Sequence, residues 1–279
     1  QEEGEYTMAR EIKPYEELEL KDDFMFGLIM HDPKYVKPFL EMILKIKIRK
    51  VVYPQSQKSI DLSANAKAIR LDVYVEDDQN TVFNLEMQTS DNRNLPKRMR
   101  YYQGVIDLNI LQKGQDYTKL KKSYVIFICT FDPFGEGRHI YTFCNTCQEN
   151  TALTLDDDAV KIILSTKGTM DDVSPEMKRI LDYIDGKGAS DEYTKQLEEA
   201  VRSARQNESW RLGYMTLEYE YRQRYEEGLK EGEETGIAKT NERSIRKLYK
   251  RGESIASIAE FVELDEEAVK RIIKAMGLE

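Results

Sequence analysis

The segment of residues 68–90 constrains the fold more than any other part of this chain. Apolar and polar side chains alternate over residues 70–76 and again over residues 82–89, which is the period-two pattern of strands with two different faces. Turn-forming residues separate the two stretches. The segment therefore predicts a β-hairpin, and its polar face carries two acids, Asp72 and Glu86.

The length of the hairpin loop decides whether these two acids meet. Opposed residues on antiparallel strands share a face, and the sequence numbers of every opposed pair add up to the same value. Asp72 and Glu86 lie on one face only when that value is even. A three-residue loop over residues 78–80, with Asn80 in a left-handed conformation, satisfies this condition. A five-residue loop has the same parity, whereas a four-residue loop separates the acids unless a bulge intervenes. We predict the arrangement in which the acids share a face.

Opposed carboxylates destabilise a sheet, so a pair of this kind needs a reason. A hard divalent cation bound by oxygen ligands is the obvious one. The alternative is that both acids face solvent on an ordinary amphipathic strand. Glu41, on a predicted helix, is a candidate third acid for the same site, and a solvated helix glutamate is its own alternative.

The remaining pattern predicts a mixed α/β core followed by helices. Residues 123–131 form a continuous apolar run, as in a central strand that is covered on both faces. Residues 45–53 predict a first strand that completes a three-stranded meander with the hairpin. The fold class is therefore α/β, an α+β mixed sheet with flanking helices. Further strands are predicted over residues 139–144 and 161–164, and helices over residues 21–44 in two pieces, over residues 94–112, and from Ser174 onward.

The helix over residues 94–112 is the candidate substrate contact. Between residues 91 and 122, eight basic residues face three acids, although the whole chain carries a net charge of −9. Arg98, Tyr101 and Tyr102 lie within one helical turn, where the arginine could hold a phosphate and a tyrosine could position it or stack on a base. The alternative is that the tyrosines belong to the core and the lysines only solvate the surface.

The C-terminal part is predicted to be entirely helical. A linker over residues 186–190 precedes a long charged helix over residues 191–236, and three short helices follow over residues 245–250, 254–261 and 265–276. Their outline resembles a helix-turn-helix, but the first turn of the last helix is acidic and would repel phosphates. We therefore favour homo-oligomerisation or regulation for this tail. The predicted domains are residues 15–170, 171–240 and 241–279.

The rare residue types limit the possible chemistry. Three cysteines do not form a secreted disulfide framework, and the lone Cys144-x-x-Cys147 pair is a weak zinc signal. With only His31 and His139 in the chain, a histidine-based catalytic triad is nearly excluded. No apolar run has the length of a membrane span, and no signal-peptide pattern is present, so we expect a cytoplasmic protein without a membrane partner.

Several motifs resemble the PD-(D/E)xK nuclease superfamily, and more closely its Rpn branch of recombination-promoting nucleases and putative transposases. The phrases LELKDDFMFGLIM, RLDVYVEDD, NLPKRMRYYQGVIDL and VIFICTFDPFGEGRHIYTF carry the likeness over residues 15–169. The resemblance implies a restriction-endonuclease-like core over residues 15–170. The individual matching positions are Asp72, then Glu86-Met87-Gln88, then Arg98-x-x-Tyr101-Tyr102-Gln103.

The resemblance also implies an activity, the cleavage of DNA phosphodiester bonds by a bacterial enzyme that uses Mg²⁺, with Mn²⁺ as a substitute. Asp72 and Glu86 would be the metal ligands, and Gln88 stands where the superfamily has a lysine. We expect Gln88 to orient the attacking water, and Arg98, with Tyr101 and Tyr102, to bind the substrate. The alternative is a catalytically weak or inactive nuclease fold that serves as a DNA-binding or protein-interaction module.

Overall fold

A computed structural model describes residues 12–53, 72–111 and 113–278 of the chain. Contacts between residues divide it into two compact units, Gln1–Arg211 and Leu212–Glu279. The strands are β1 (Val51–Val52), β2 (Val73–Asp77), β3 (Val82–Gln88), β4 (Ser123–Cys129), β5 (Ile140–Phe143) and β6 (Ala159–Ser165). The helices are α1 (Asp23–Met30), α2 (Pro33–Leu44), α3 (Leu95–Ile110), α4 (Pro175–Ile184), α5 (Glu192–Arg205), α6 (Glu208–Tyr249), α7 (Ile255–Val262) and α8 (Glu266–Ala275).

The first unit contains one mixed sheet of six strands in the order β1-β2-β3-β4-β6-β5. β1, β2 and β3 form an antiparallel meander, β3, β4 and β6 run parallel, and β5 is antiparallel to β6. The predicted mixed sheet with flanking helices is confirmed. The first strand is much shorter than predicted, because only Val51 and Val52 of residues 45–53 pair with β2.

The hairpin has the predicted register. Val73 pairs with Leu85 and Glu76 pairs with Val82, so opposed numbers sum to 158 throughout the ladder. Asp77 closes the three-residue loop, since its amide donates to the carbonyl of Thr81. Asn80 has a φ of 63°, the left-handed conformation that its short polar side chain tolerates. Residues 70 and 71 of the predicted strand lie outside the described residues.

Helices cover both faces of this sheet. α3 packs on the face that carries Val125 and Phe127 of β4, while the alternate residues Ile126 and Ile128 are fully buried on the opposite face. There α1 contacts β3, and α1, α2, α4 and α5 contact one another. The continuous apolar run therefore forms a doubly covered central strand, as predicted.

The predicted single helix over residues 191–236 is wrong, because the structure has two helices there. α5 ends at Arg205, and the Asn207 side chain accepts a hydrogen bond from the Trp210 amide at the start of α6. This capping geometry starts a new helix although the charged composition continues unchanged. α6 then extends beyond residue 236 to Tyr249 and absorbs the short helix predicted over residues 245–250.

The second unit has a small core of its own. The last turns of α6 pack with α7 and α8, and each of the latter two helices begins at a capping side chain, Ser254 and Asp265 respectively. The last two short helices were therefore predicted to within two residues, whereas oligomerisation through this region stays a prediction. None of the described helices is long and apolar enough to span a membrane. The buried residues of this core are Ile245, Ile258, Ala259, Val262, Val269 and Ile273.

Two glycines provide a matched test of the packing in the first unit. A Cβ at Gly168 would lie 2.4 Å from the ring of the buried His139, whereas one at Gly104, on the exposed side of α3, would meet nothing within 4 Å. We expect Gly168→Ala to lower the free energy of unfolding by about 1–3 kcal/mol. We expect Gly104→Ala to raise it by up to about 1 kcal/mol, because alanine favours the helix. Urea unfolding followed by circular dichroism measures both changes, and equal effects would contradict the packing described.

Candidate active site

Two acids meet at the open end of the β2–β3 hairpin. Asp72 immediately precedes β2, and its amide donates a hydrogen bond of 3.3 Å to Oε1 of Glu86 in β3. In return, the amide of Met87 donates a hydrogen bond of 3.0 Å to Oδ2 of Asp72. α1 supports this corner, because a Cβ on its Gly27 would lie only 3.2 Å from the Asp72 carbonyl oxygen. The hairpin register thus brings both carboxylates to one place.

Glu86 lies in an unfavourable environment for a negative charge. The residue is only 3 % exposed. Burial raises the pKa of its carboxyl well above the usual value, and the neighbouring Asp72 carboxylate raises it further. Contacts with Asn84, the Asp72 amide and Arg98 lower the pKa, but less strongly. Neither amide atom of the fully buried Asn84 reaches a well-aligned hydrogen-bond partner, so that contact is a weak one.

A cation stands beside the two acids. Arg98 of α3 donates a hydrogen bond from Nη1 to Oε1 of Gln88 and another, of 3.1 Å, from Nη2 to the hydroxyl of Tyr102. Its guanidinium also lies over the rings of Phe127 and Tyr102, at 5.1 and 5.6 Å from the ring centres. Packing of α3 on the sheet therefore joins Arg98 and Tyr102 to the end of β3.

The structure brings five of the six predicted site residues together. These are Asp72, Glu86, Gln88, Arg98 and Tyr102. The sixth, Tyr101, is the sequence neighbour of Tyr102 on α3 and is 40 % exposed.

The candidate third acid is outside the site. Oε1 of Glu41 accepts a hydrogen bond of 2.8 Å from the amide of Ile48, so this side chain stabilises the loop that follows α2.

Sequence reasoning missed two neighbours of the site. Asn84 lies on the polar face of β3, where alternation gave its direction but not its complete burial. Phe127 lies in the apolar run of β4, and its position beneath Arg98 depends on how α3 packs. No sequence signal distinguished this phenylalanine from its neighbours in the run.

The donor set suits a hard divalent cation. Among the described residues no group of three or more histidine, cysteine or acidic side chains could hold a metal, so a metal ion at this place would have two carboxylate ligands from the protein. Mg²⁺ is usually bound by one or two carboxylates together with water and substrate phosphates. A cation between Asp72 and Glu86 would relieve the repulsion that raises the pKa of Glu86. The residues present therefore fit the ion.

Other reactive groups lie outside this site. Cys129 is buried in β4, and burial raises the pKa of its thiol to about 12. Cys144 and Cys147 are free thiols. Among the described residues they do not belong to a group of three or more histidine, cysteine or acidic side chains that could hold a metal ion. Nδ1 of the buried His139 lies 2.9 Å from Oδ1 of Asp172, an interaction that fixes the start of β5.

Comparison with known proteins supports the resemblance seen in the sequence. Neither the curated proteins nor the solved structures gave a significant match. A family model described as "PD-(D/E)XK nuclease family transposase" matches residues 21–167, which is more than half of the 279 residues. The match covers all six strands and the five residues of the site. By this match, and with a mixed sheet that carries paired acids on a hairpin, the chain belongs to the PD-(D/E)XK nuclease family transposases.

Proposed function

We propose that the protein is a DNA endonuclease that depends on a divalent metal ion, with Mg²⁺ as the natural ion and Mn²⁺ as a substitute. The observation that carries this proposal is the contact of the Asp72 amide with Oε1 of the buried Glu86, which brings the two acids together so that the Asp72 carboxylate acts on that of Glu86. Such a pair is costly for the fold, and binding of a cation is the function that explains it. Membership of a nuclease family supports the same conclusion.

The reaction is hydrolysis of a phosphodiester. Water oxygen forms a bond to phosphorus, the bond from phosphorus to one sugar oxygen breaks, the water gives up a proton, and the leaving oxygen gains one. When bound, the metal ion acidifies a water molecule and stabilises negative charge on the phosphate. Asp72 and Glu86 would hold that ion, and Arg98 would bind a phosphate oxygen through charge-assisted hydrogen bonds. Strand transfer in recombination or by mobile elements uses the same chemistry with a DNA hydroxyl in place of water.

The surface around α3 supports DNA as the substrate. Arg93 and Lys97 are exposed at the beginning of this helix, close in sequence to Arg98. Positive side chains near the reacting phosphate bind the backbone of DNA without reading its sequence. Tyr101 is exposed on the same helix, and we expect its ring to contact a sugar or base.

Removal of the metal tests the proposed function directly. We expect supercoiled plasmid DNA to be nicked by the protein with Mg²⁺ or Mn²⁺ and to stay intact in EDTA. Asp72→Ala should be inactive under every condition, because it removes one of two ligands. The alternative, a non-catalytic module of the same fold, predicts salt-sensitive DNA binding without any cleavage. Absence of nicking by the folded wild-type protein with either ion would favour the module, and nicking that survives Asp72→Ala would place the activity elsewhere.

A further inference from the structure

We propose that Arg98 is a catalytic residue that supplies the positive charge of the active site, and that Gln88 is a positioning residue that acts through Arg98. This inference deepens the proposed endonuclease function and rests on it. It replaces the expectation that Gln88 orients the attacking water through its own amide. In this chain Arg98 of α3 supplies the positive charge that a lysine at position 88 would carry.

Protein contacts fix the Gln88 amide in one orientation. Its Nε2 donates a hydrogen bond of 2.6 Å to the carbonyl oxygen of Ser90, and its Oε1 accepts from Nη1 of Arg98. The backbone at this point is held as well, because the amide of Thr130 donates to the Gln88 carbonyl. With nitrogen and oxygen both engaged, the side chain presents its oxygen to the arginine. Gln88 thus serves as an acceptor for a cation.

The guanidinium of Arg98 has more hydrogen-bond donors than its protein contacts use. It has five N–H groups, and the protein uses only two of the hydrogen bonds they can make, to Gln88 and Tyr102. Within the described part of the chain Arg98 forms no ion pair with a carboxylate, and its other neighbours are the uncharged rings of Phe127 and Tyr102. Phe127 of β4 is paired with Glu86 of β3, so the guanidinium over the Phe127 ring lies at the level of Glu86 on the sheet. A fixed cation with spare donors therefore stands next to the metal-binding pair.

This arrangement explains why a glutamine is suitable at position 88. A lysine there would place an ammonium against the guanidinium of Arg98, and repulsion would displace one of them. A neutral acceptor instead holds the arginine where charge develops on the phosphate, and preorganised donors of this kind are large contributors to catalysis. Positions 88 and 98 thus accommodate one cation between them. Moving the positive charge from position 98 to position 88 is therefore a direct test.

The charge-exchange experiment uses plasmid cleavage with Mn²⁺ by three variants of the full chain. We expect Arg98→Gln to lower kcat about 10²–10³-fold, as the loss of one preorganised donor does elsewhere. We expect Gln88→Lys alone to be impaired by repulsion. The double variant Gln88→Lys/Arg98→Gln should be at least tenfold more active than Arg98→Gln. A folded double variant that is no better than the single variant would overturn the proposal.

A second set of variants tests whether Gln88 acts through Arg98. Gln88→Met keeps the length of the side chain and removes the amide, and we expect a loss of about 10–100-fold in kcat, typical of a residue that orients a functional group. In the Arg98→Gln background the same substitution should have little further effect, because the group it positions is gone. Additive losses in the two backgrounds would show that Gln88 has a role of its own and would contradict the inference.

DNA binding without metal gives a readout that does not depend on cleavage. Fluorescence anisotropy in EDTA at several salt concentrations yields the slope of log K against log salt, which changes by about 0.9 for each phosphate contact of a duplex. We expect Arg98→Gln to reduce the slope by about 0.9, the value for one phosphate contact. The double variant Gln88→Lys/Arg98→Gln should restore the wild-type slope. Arg202→Gln changes an exposed arginine of α5, away from α3, and is the matched control that should leave the slope unchanged.

These assays separate failure of the inference from failure of the proposed function. Should the wild-type protein not cleave DNA with either metal, the endonuclease proposal fails. The slope measured in EDTA then still decides whether Arg98 contacts a phosphate. If Arg98→Gln binds DNA with the wild-type slope, Arg98 is not the phosphate-binding cation, whatever the activity of the protein.

Discussion

Glu86→Gln is expected to abolish most DNA cleavage and at the same time to make the metal-free protein more stable at neutral pH. A metal ion contributes several kcal/mol to stabilisation of the transition state, so loss of a ligand should lower the rate by about a thousandfold or more. The neutral amide removes the repulsion from Asp72 and the burial cost that raise the pKa of Glu86. Its oxygen can still accept the hydrogen bond from the Asp72 amide. The melting temperature in EDTA should therefore rise by a few degrees, equivalent to about 1 kcal/mol.

A matched control is available in the same unit. Glu41→Gln makes the same chemical change in a side chain that accepts a hydrogen bond from Ile48 and lies outside the site. We expect this control to keep wild-type cleavage and to show almost no change in melting temperature. Plasmid nicking and thermal unfolding in EDTA measure the two properties. A Glu86→Gln protein that is less stable than wild type would mean that the carboxylate pair does not strain the metal-free fold.

The stability of the metal-free protein is expected to fall as the pH rises above the ordinary pKa of a glutamate, and its metal affinity is expected to increase. Burial and the Asp72 carboxylate raise the folded-state pKa of Glu86 above the ordinary value of 4.5. The folded protein therefore holds a proton that the unfolded chain has already released, and this contribution to stability is lost as the pH rises through the raised pKa. Metal binding needs the carboxylate, so affinity should increase up to about tenfold per pH unit below that pKa.

Thermal unfolding at a series of pH values above the ordinary pKa of a glutamate, once with EDTA and once with Mn²⁺, tests the expected changes in stability and in metal affinity. The gap between the two melting temperatures should widen with pH in the wild-type protein, because metal binding stabilises only the folded state. In Glu86→Gln the melting temperature in EDTA should decline less with rising pH. The difference between the melting temperatures with Mn²⁺ and with EDTA should be small at every pH. If the difference between the two wild-type melting temperatures does not change with pH, Glu86 is already ionised at the lowest pH measured, and the expectation is wrong.

Local sequence pattern was sufficient for the hairpin and for the meeting of its two acids. Alternation assigns each residue of a strand to a face, and loop parity sets the register, so the contact of Asp72 with Glu86 followed without knowledge of the remaining fold. The mixed sheet was predictable for the same reason, since its central strand is a continuous apolar run. The resemblance of several motifs also indicated the family that the family model later matched.

Local pattern was not sufficient where capping decides the structure. The break between α5 and α6 depends on Asn207, a single residue in a segment whose charged composition is the same on both sides. One capping hydrogen bond contributes only about 1 kcal/mol, so it gives a much weaker sequence signal than a repeated apolar face.

Contacts between elements were decided by packing alone. Tyr101 and Tyr102 are adjacent in sequence, yet Tyr101 is exposed whereas Tyr102 is buried against the sheet and accepts a hydrogen bond from Arg98. Successive residues of a helix point about 100° apart, and α3 has one face on the sheet. The link from Gln88 to Arg98 has the same origin. The burial of Glu86 depends on β4, which pairs with β3 in the sheet, and on α3, which packs on that face of the sheet. Periodicity assigns a side chain to a face, but its partners and its desolvation, and therefore its pKa, arise only when several elements pack together.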